Sequence, residues 1–185
     1  LSVVFAENVT NQGGIERIET LFGKDNLVAW CIVPFDSMNR RPEARAKLLN
    51  ELGLSRCAYD WRTEHVPQFE EEILQYQKHD IEFTAFWRTH DTAVALFKKH
   101  GLAPQIWQTL KTPKTGTNEE KLAAAVKEML PLAEQTRAMG SKLSWYNHGG
   151  WGGEPANMVA VCQFLREKHD AGHVGIVYNF HHGHG

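Results

Sequence analysis

The feature that most constrains this chain is a series of six apolar runs, each of strand length, separated by stretches of helical character. The runs cover residues 27–33, 54–59, 81–87, 103–110, 143–146 and 174–178. They are near-continuous in hydrophobicity rather than alternating, as expected of strands covered on both faces. Between them the pattern predicts helices over residues 42–52, 67–79, 92–100, 118–139 and 155–169. Pro42, Pro67 and Pro155 stand where a helix begins and a missing N–H costs nothing. Gly53, Gly101, Gly140 and Gly172 stand where helices end, as residues free to adopt the left-handed conformation.

Strict alternation of strand and helix means a parallel sheet. An eight-unit barrel needs ~250 residues, or ~31 per unit. Residues 1–25 read as a leader, and residues 26–185 hold roughly five such units and a sixth strand. The expected fold is therefore α/β, an incomplete (β/α)8 TIM barrel with about six strands and five helices. An open doubly wound sheet is the rival. It usually carries a GxGxxG turn after its first strand, where this chain has Val33-Pro34-Phe35-Asp36. A barrel of six strands would leave the first and sixth as open edges, so poor solubility or weak stability is expected of a chain of this length.

The leader supports two readings. Leu1-Ser2-Val3-Val4-Phe5-Ala6 is either the remnant of a secretory signal or a scrap of ordinary apolar sequence. Localisation stays open accordingly, between the cytoplasm and a periplasmic or secreted fate. Residues 16–22 suit a short helix beneath the barrel.

Charge narrows the function classes. The 20 Lys and Arg against 22 Asp and Glu give a formal net charge of -2, with no basic run. That balance argues against a nucleic-acid partner, and no apolar stretch is long enough to span a membrane. Cys31, Cys57 and Cys162 lie far apart without a CxxC pair and are expected as buried thiols. A homo-oligomer is compatible with all of this.

Chemistry concentrates at one end of each strand. The strand entries are plain, whereas the exits read Phe35-Asp36, Asp60-Trp61-Arg62, Trp87-Arg88-Thr89-His90, Trp107-Gln108, Asn147-His148 and Asn179-Phe180-His181-His182. In a parallel barrel all exits share one rim, where barrel enzymes keep their active sites. The fifth exit continues as Gly149-Gly150-Trp151-Gly152-Gly153-Glu154-Pro155. Its helix start either receives an anion such as a sugar phosphate or is a plain loop in which Glu154 complements the helix dipole. The sixth exit holds His181, His182 and His184 within four residues. With His148 one strand earlier, these imidazoles suit a transition metal or acid–base work.

Trp61, Trp87, Trp107 and Trp151 fall at or beyond exits. They either stack on sugar C–H faces or cap the upper core. Asp60 and Arg62 either form a plain ion pair or orient a hydroxyl-rich substrate. The residue reading thus assigns catalysis to His148, His182 and Asp60, and metal binding to His148, His182 and His184. Substrate contact falls to Arg62, Trp87, Trp107, Tyr146, Asn147, Trp151, Glu154 and Asn179.

In the alternation, in Asn147-His148-Gly149-Gly150 and in Asn179-Phe180-His181-His182, the chain resembles the xylose-isomerase-like barrels called sugar phosphate isomerases/epimerases. The resemblance runs from about residue 26 to the end and is most specific over residues 146–155 and 174–184. It implies a small-molecule carbohydrate substrate and a divalent metal, Mn, Mg, Co or Zn. It also implies ligands Glu, Asp, His and Glu from strands five to eight, and two carboxylates that shuttle a proton through an enediolate. Carried over by position, the strand-five Glu falls on Tyr146, the strand-six Asp on Asn179, and the accompanying His on His182. Neutral groups thus stand where two ligands are expected. Either a His-rich metal set serves an isomerase or epimerase, or the barrel performs related chemistry such as β-elimination by a keto-sugar lyase. A non-catalytic carbohydrate-binding barrel is the alternative from another class. An endonuclease on a related barrel fits poorly with the charge balance.

Overall fold

Six strands lie side by side in chain order, each parallel to the next. The computed structural model describes residues 20–183. Its strands are β1 (Ala29–Trp30), β2 (Arg56–Tyr59), β3 (Glu82–Trp87), β4 (Gln105–Gln108), β5 (Leu143–Tyr146) and β6 (Val174–Val177). Helices α1 (Pro42–Leu52), α2 (Phe69–Lys78), α3 (Asp91–His100), α4 (Asn118–Ala138) and α5 (Pro155–His169) connect successive strands. This is the expected incomplete (β/α)8 arrangement. Among the described residues, β1 and β6 each pair on one side only, and no helix is long and apolar enough to cross a membrane. Apart from residues 20–22, the leader helix and the signal-like segment lie outside the described residues, as does His184.

Local chemistry explains most element boundaries. Pro42 and Pro155 occupy the first turns of α1 and α5 after extended residues. Thr117 and Glu120 form a reciprocal capping box at α4, where the Thr117 hydroxyl accepts the Glu120 N–H at 3.2 Å and the Glu120 carboxylate accepts the Thr117 N–H at 2.8 Å. Gly53 and Gly101 end α1 and α3 in the left-handed conformation.

Three expectations need correction. Pro67 does not open α2; it lies within a 3₁₀ turn (Thr63–Gln68) whose entry is closed by His65 Nδ1 accepting the Arg62 N–H at 2.9 Å. Gly172 does not end α5, because Asp170 takes the left-handed position (φ 51°) two residues earlier. β1 is only two residues long, since Cys31 turns into the left-handed region (φ 60°) and leaves the sheet.

The sheet has two differently filled faces. Towards the helices it buries aliphatic and aromatic side chains such as Phe86, Ile106, Leu143, Trp145 and Val174 against Phe97, Met129, Met158 and Leu165. The opposite face, the barrel interior, joins the fully buried Ala58 and Ala85 to Trp107, with Trp30, Trp87 and Val177 against them. Small residues on β2 and β3 thus make room for the indoles of their neighbours.

One polar contact is buried between helices. Arg45 of α1 pairs with Glu72 of α2, its Nε 3.1 Å from Oε1 and its Nη2 on Oε2, with both side chains almost wholly out of water. Beside it the Tyr76 hydroxyl bonds to Cys57 Sγ at 3.2 Å, and burial pushes the Tyr76 phenol well up. Removing one partner strands a charge in low dielectric. Glu72→Ala is therefore expected to lower unfolding free energy by about 3–5 kcal/mol in urea titration, well beyond a surface substitution.

Candidate active site at the strand exits

All six strands contribute to a cavity of about 430 Å³ at their carboxyl ends. Trp30, Cys31 and Phe35 enter from the β1 side, Asp60 and Arg62 from β2, Trp87 and Arg88 from β3. Thr109 comes from β4, Tyr146 and His148 from β5, and His182 from β6. The parallel register brings them together because every exit points to the same rim.

The floor is aromatic. Trp30 stacks on Trp87 with centroids 6.1 Å apart and meets Tyr146 edge-on at 5.4 Å. Trp87 and Tyr146 are in T-shaped contact at 4.7 Å. Trp107 lies beneath, edge-on to both Trp30 and Trp87.

One wall carries an ion pair, Arg62 Nη1 to Asp60 Oδ1 at 2.7 Å. The Arg62 guanidinium also sits 5.5 Å from the centre of the Phe35 ring. Cys31 Sγ approaches Asp60 Oδ2 at 3.9 Å. Burial, and then the Asp60 charge, push the Cys31 thiol up to about 11, so it remains a protonated donor. Beside them Arg88 holds a left-handed backbone (φ 55°). Its N–H bonds to Trp107 O at 2.9 Å, the preceding carbonyl accepts the Trp61 indole N–H, and its guanidinium lies 5.0 Å from the Trp61 ring centre. Two non-glycine residues with positive φ on one rim mark a place where packing holds the backbone against its own preference.

On the other wall, the His148 and His182 rings stand 4.6 Å apart. The Tyr146 ring is 6.3 Å from His148 and 5.8 Å from His182. Partial desolvation, followed by the neighbouring His148 and His181, holds the His182 imidazole below its ordinary value, which favours the neutral, proton-accepting form.

Behind this wall an amide network ties β5 to β6. The Asn147 side chain, 1% exposed, donates to Asn179 O at 2.9 Å and accepts the Asn179 N–H at 2.6 Å. The Asn179 side chain donates to the Tyr146 hydroxyl oxygen and accepts the His181 N–H at 2.8 Å. Burial, partly offset by the Asn179 hydrogen bond, raises the Tyr146 phenol, so it stays protonated near neutrality.

The structure thus brings Asp60, Arg62, Trp87, Tyr146, His148 and His182 to one cavity and sets the other assigned residues elsewhere. Trp107 lies below the floor, and Asn147 and Asn179 form the supporting layer. Trp151 turns away, donating its indole N–H to Asn118 Oδ1 at 3.0 Å. Glu154 is exposed ahead of α5 and lines neither this cavity nor the adjoining recess of about 160 Å³. Trp61 is core, packed on Phe69 and Phe86. Cys31 is half-buried on the cavity, not in the core.

Sequence reasoning did not single out Trp30, Cys31, Phe35, Arg88 or Thr109. Phe35 and Arg88 stand in the exit segments themselves; Trp30 and Cys31 were hidden inside an apolar run that the chain breaks early.

The described residues do not assemble a metal-binding set. Among them no three His, Cys, Asp or Glu side chains cluster closely enough to hold an ion. His148 and His182 face each other, but the positions that the resemblance gives to carboxylates hold Tyr146 and Asn179, which are engaged with one another.

Fold and cavity together define a β/α-barrel protein with a cavity open at its strand exits. No protein-family model matches the chain, and no curated protein does. Among solved structures it is similar to the apo crystal structure of the 3-keto-D-glucoside 4-epimerase YcjR from E. coli. The TM-score is 0.59 at 11% identity, over 84% of this chain and 67% of that one. At that identity the likeness shows the fold, a TIM barrel.

Asn147 is the residue on which the His182 side of the cavity hangs. Asn147→Ala leaves the Asn179 N–H without a partner and its C=O with only the His182 N–H at 3.2 Å, at a cost of about 1–3 kcal/mol. Chemical denaturation should show that loss, and amide exchange over residues 179–183 should quicken; unchanged protection there would contradict the assigned role.

Proposed function

We propose that this chain is an isomerase- or epimerase-like barrel that moves a proton on a carbon next to a carbonyl of a carbohydrate. The observation that carries this reading is the His148–His182 pair, 4.6 Å apart, beside an aromatic floor and sharing one cavity with the Asp60–Arg62 pair. The cavity volume, about 430 Å³, falls among those of small-molecule sites. Indole faces suit the C–H faces of a sugar, and Asp60 and Arg62 offer an acceptor and donors to its hydroxyls. The similar barrel of YcjR acts on a 3-keto-D-glucoside, a substrate whose ketone acidifies the neighbouring C–H bonds.

In this reading one imidazole takes the proton from carbon and the other, in its cationic form, returns one. Both imidazoles reach the substrate from one wall, so delivery to a neighbouring carbon isomerises the sugar, whereas inversion of a centre takes its second proton from the opposite face. A lyase would begin with the same abstraction and then expel a β-substituent. No step is routed through a divalent metal, because the described donors fall short of a binding set.

A second reading, a carbohydrate-binding barrel without turnover, is favoured by the mutual engagement of Tyr146 and Asn179 where the resemblance expects carboxylates. Exchange in D₂O separates the two. With a ketose, an aldose and methyl 3-keto-β-D-glucopyranoside as probes, deuterium is expected at a carbon next to a carbonyl, read by NMR. His148→Ala and His182→Ala should each slow it by about 10²–10⁴-fold. Sugar binding with no exchange on any probe would select the second reading, and full exchange in both variants would remove the two histidines from the chemistry.

A further inference from the structure

The two positions where the resemblance places carboxylates are joined by a hydrogen bond whose direction is fixed. Asn179 Oδ1 accepts the His181 N–H at 2.8 Å, so its Nδ2 is the end that faces Tyr146. An amide NH₂ can only donate, and the phenol oxygen therefore accepts. Its own O–H proton has no protein acceptor among the described residues. Tyr146 is 2% exposed and lines both the main cavity and the adjoining recess. A buried donor left unpaired beside a cavity is costly unless something enters to accept it.

The ring cannot easily turn away. Trp87 and Trp30 hold it at 4.7 and 5.4 Å, while Asn147 bonds the Asn179 main chain on both its N–H and its C=O. The His148 and His182 rings are 6.3 and 5.8 Å away, distances that a carbonyl and its α-carbon can bridge.

We infer that Tyr146, oriented by Asn179, is the catalytic residue that donates to the substrate carbonyl oxygen and stabilises its developing negative charge, in the place where the resemblance expects a metal ion. The inference rests on the proton-transfer reading above. As the α C–H bond breaks, its proton goes to an imidazole of the His148–His182 pair and its electrons form the C=C bond. The carbonyl π electrons move to oxygen, against the Tyr146 O–H. Collapse of the enolate takes a proton back from imidazolium onto carbon, so nothing is oxidised or reduced. Asn179 is a positioning residue.

Tyr146→Phe keeps the ring and deletes the donor. With methyl 3-keto-β-D-glucopyranoside in D₂O, kcat for exchange should fall by about 10²–10³-fold, the usual loss for one oxyanion donor, with KM changed far less. Methyl β-D-glucopyranoside, which has no ketone, should bind wild type and variant equally, an equality that a mere packing role would not preserve. Asn179→Ala keeps the phenol and should slow exchange by about tenfold, the worth of one orienting hydrogen bond. Exchange in either variant within a factor of about two of wild type overturns the inference while leaving the proton-transfer reading standing. Loss of wild-type exchange in EDTA with recovery in Mn²⁺ overturns it too, by assigning the role to a metal. A wild type that binds the keto-glucoside and exchanges nothing removes that reading and this inference together.

Discussion

Everything at the strand exits rests on how large rings are accommodated inside the curved sheet. Trp30, Trp87, Trp107 and Tyr146 pack against one another there, and they fit because β2 and β3 present Ala58 and Ala85 to the same space. Substituting either alanine with a larger residue would meet rings that cannot yield, since interiors packed to crystal density relax little. The rings fill the interior up to the level of the exits. The cavity begins where they stop, and its floor is as rigid as the core from which it is made.

Rigidity of the floor contrasts with the way the walls are held. The Asp60–Arg62 wall is tied by charge and by two residues in the left-handed region, Cys31 and Arg88. The His148–His182 wall is tied by amides, through Asn147, Asn179 and the backbone of β6. A charged wall faces a titratable one across an apolar floor, so the cavity is polar at its edges and apolar at its base. That division suits a carbohydrate, whose hydroxyls project sideways from an apolar ring.

The fold was legible in the sequence for a simple reason. Doubly covered strands leave continuous apolar runs, and the prolines at 42 and 155 and the glycines at 53 and 101 mark helix ends by mechanisms that act locally. Where a local rule failed, another local residue had won, as Asp170 did over Gly172 and the His65-closed turn over Pro67. The site was legible only in part. Grouping by strand exit found Asp60, Arg62, Trp87, Tyr146, His148 and His182, because parallel strands must deliver them to one rim. It could not find Trp30 or Cys31, whose roles depend on where β1 leaves the sheet, a bend fixed by tertiary packing. Nor could it tell Trp61 and Trp151, turned into the core and towards α4, from Trp87, which faces the cavity.

The pairing of Tyr146 with Asn179 has an electrostatic rationale that reaches beyond either residue. A carboxylate at position 146 would be almost wholly out of water among indole rings, and an uncompensated buried charge there would cost several kcal/mol. Of the two side-chain cations that line the cavity, Arg62 is committed to Asp60 and Arg88 lies over the Trp61 ring. With no carboxylate cluster among the described residues to hold a metal, neutrality at positions 146 and 179 is the arrangement that the surrounding packing tolerates. Each residue makes the other's change acceptable: the phenol oxygen gives the Asn179 amide an acceptor, and the amide fixes which way the phenol can donate. The two neutral residues therefore act as one hydrogen-bonded unit. Their physical meaning is that the fifth and sixth strand exits offer the cavity a directed hydrogen-bond donor in place of negative charge.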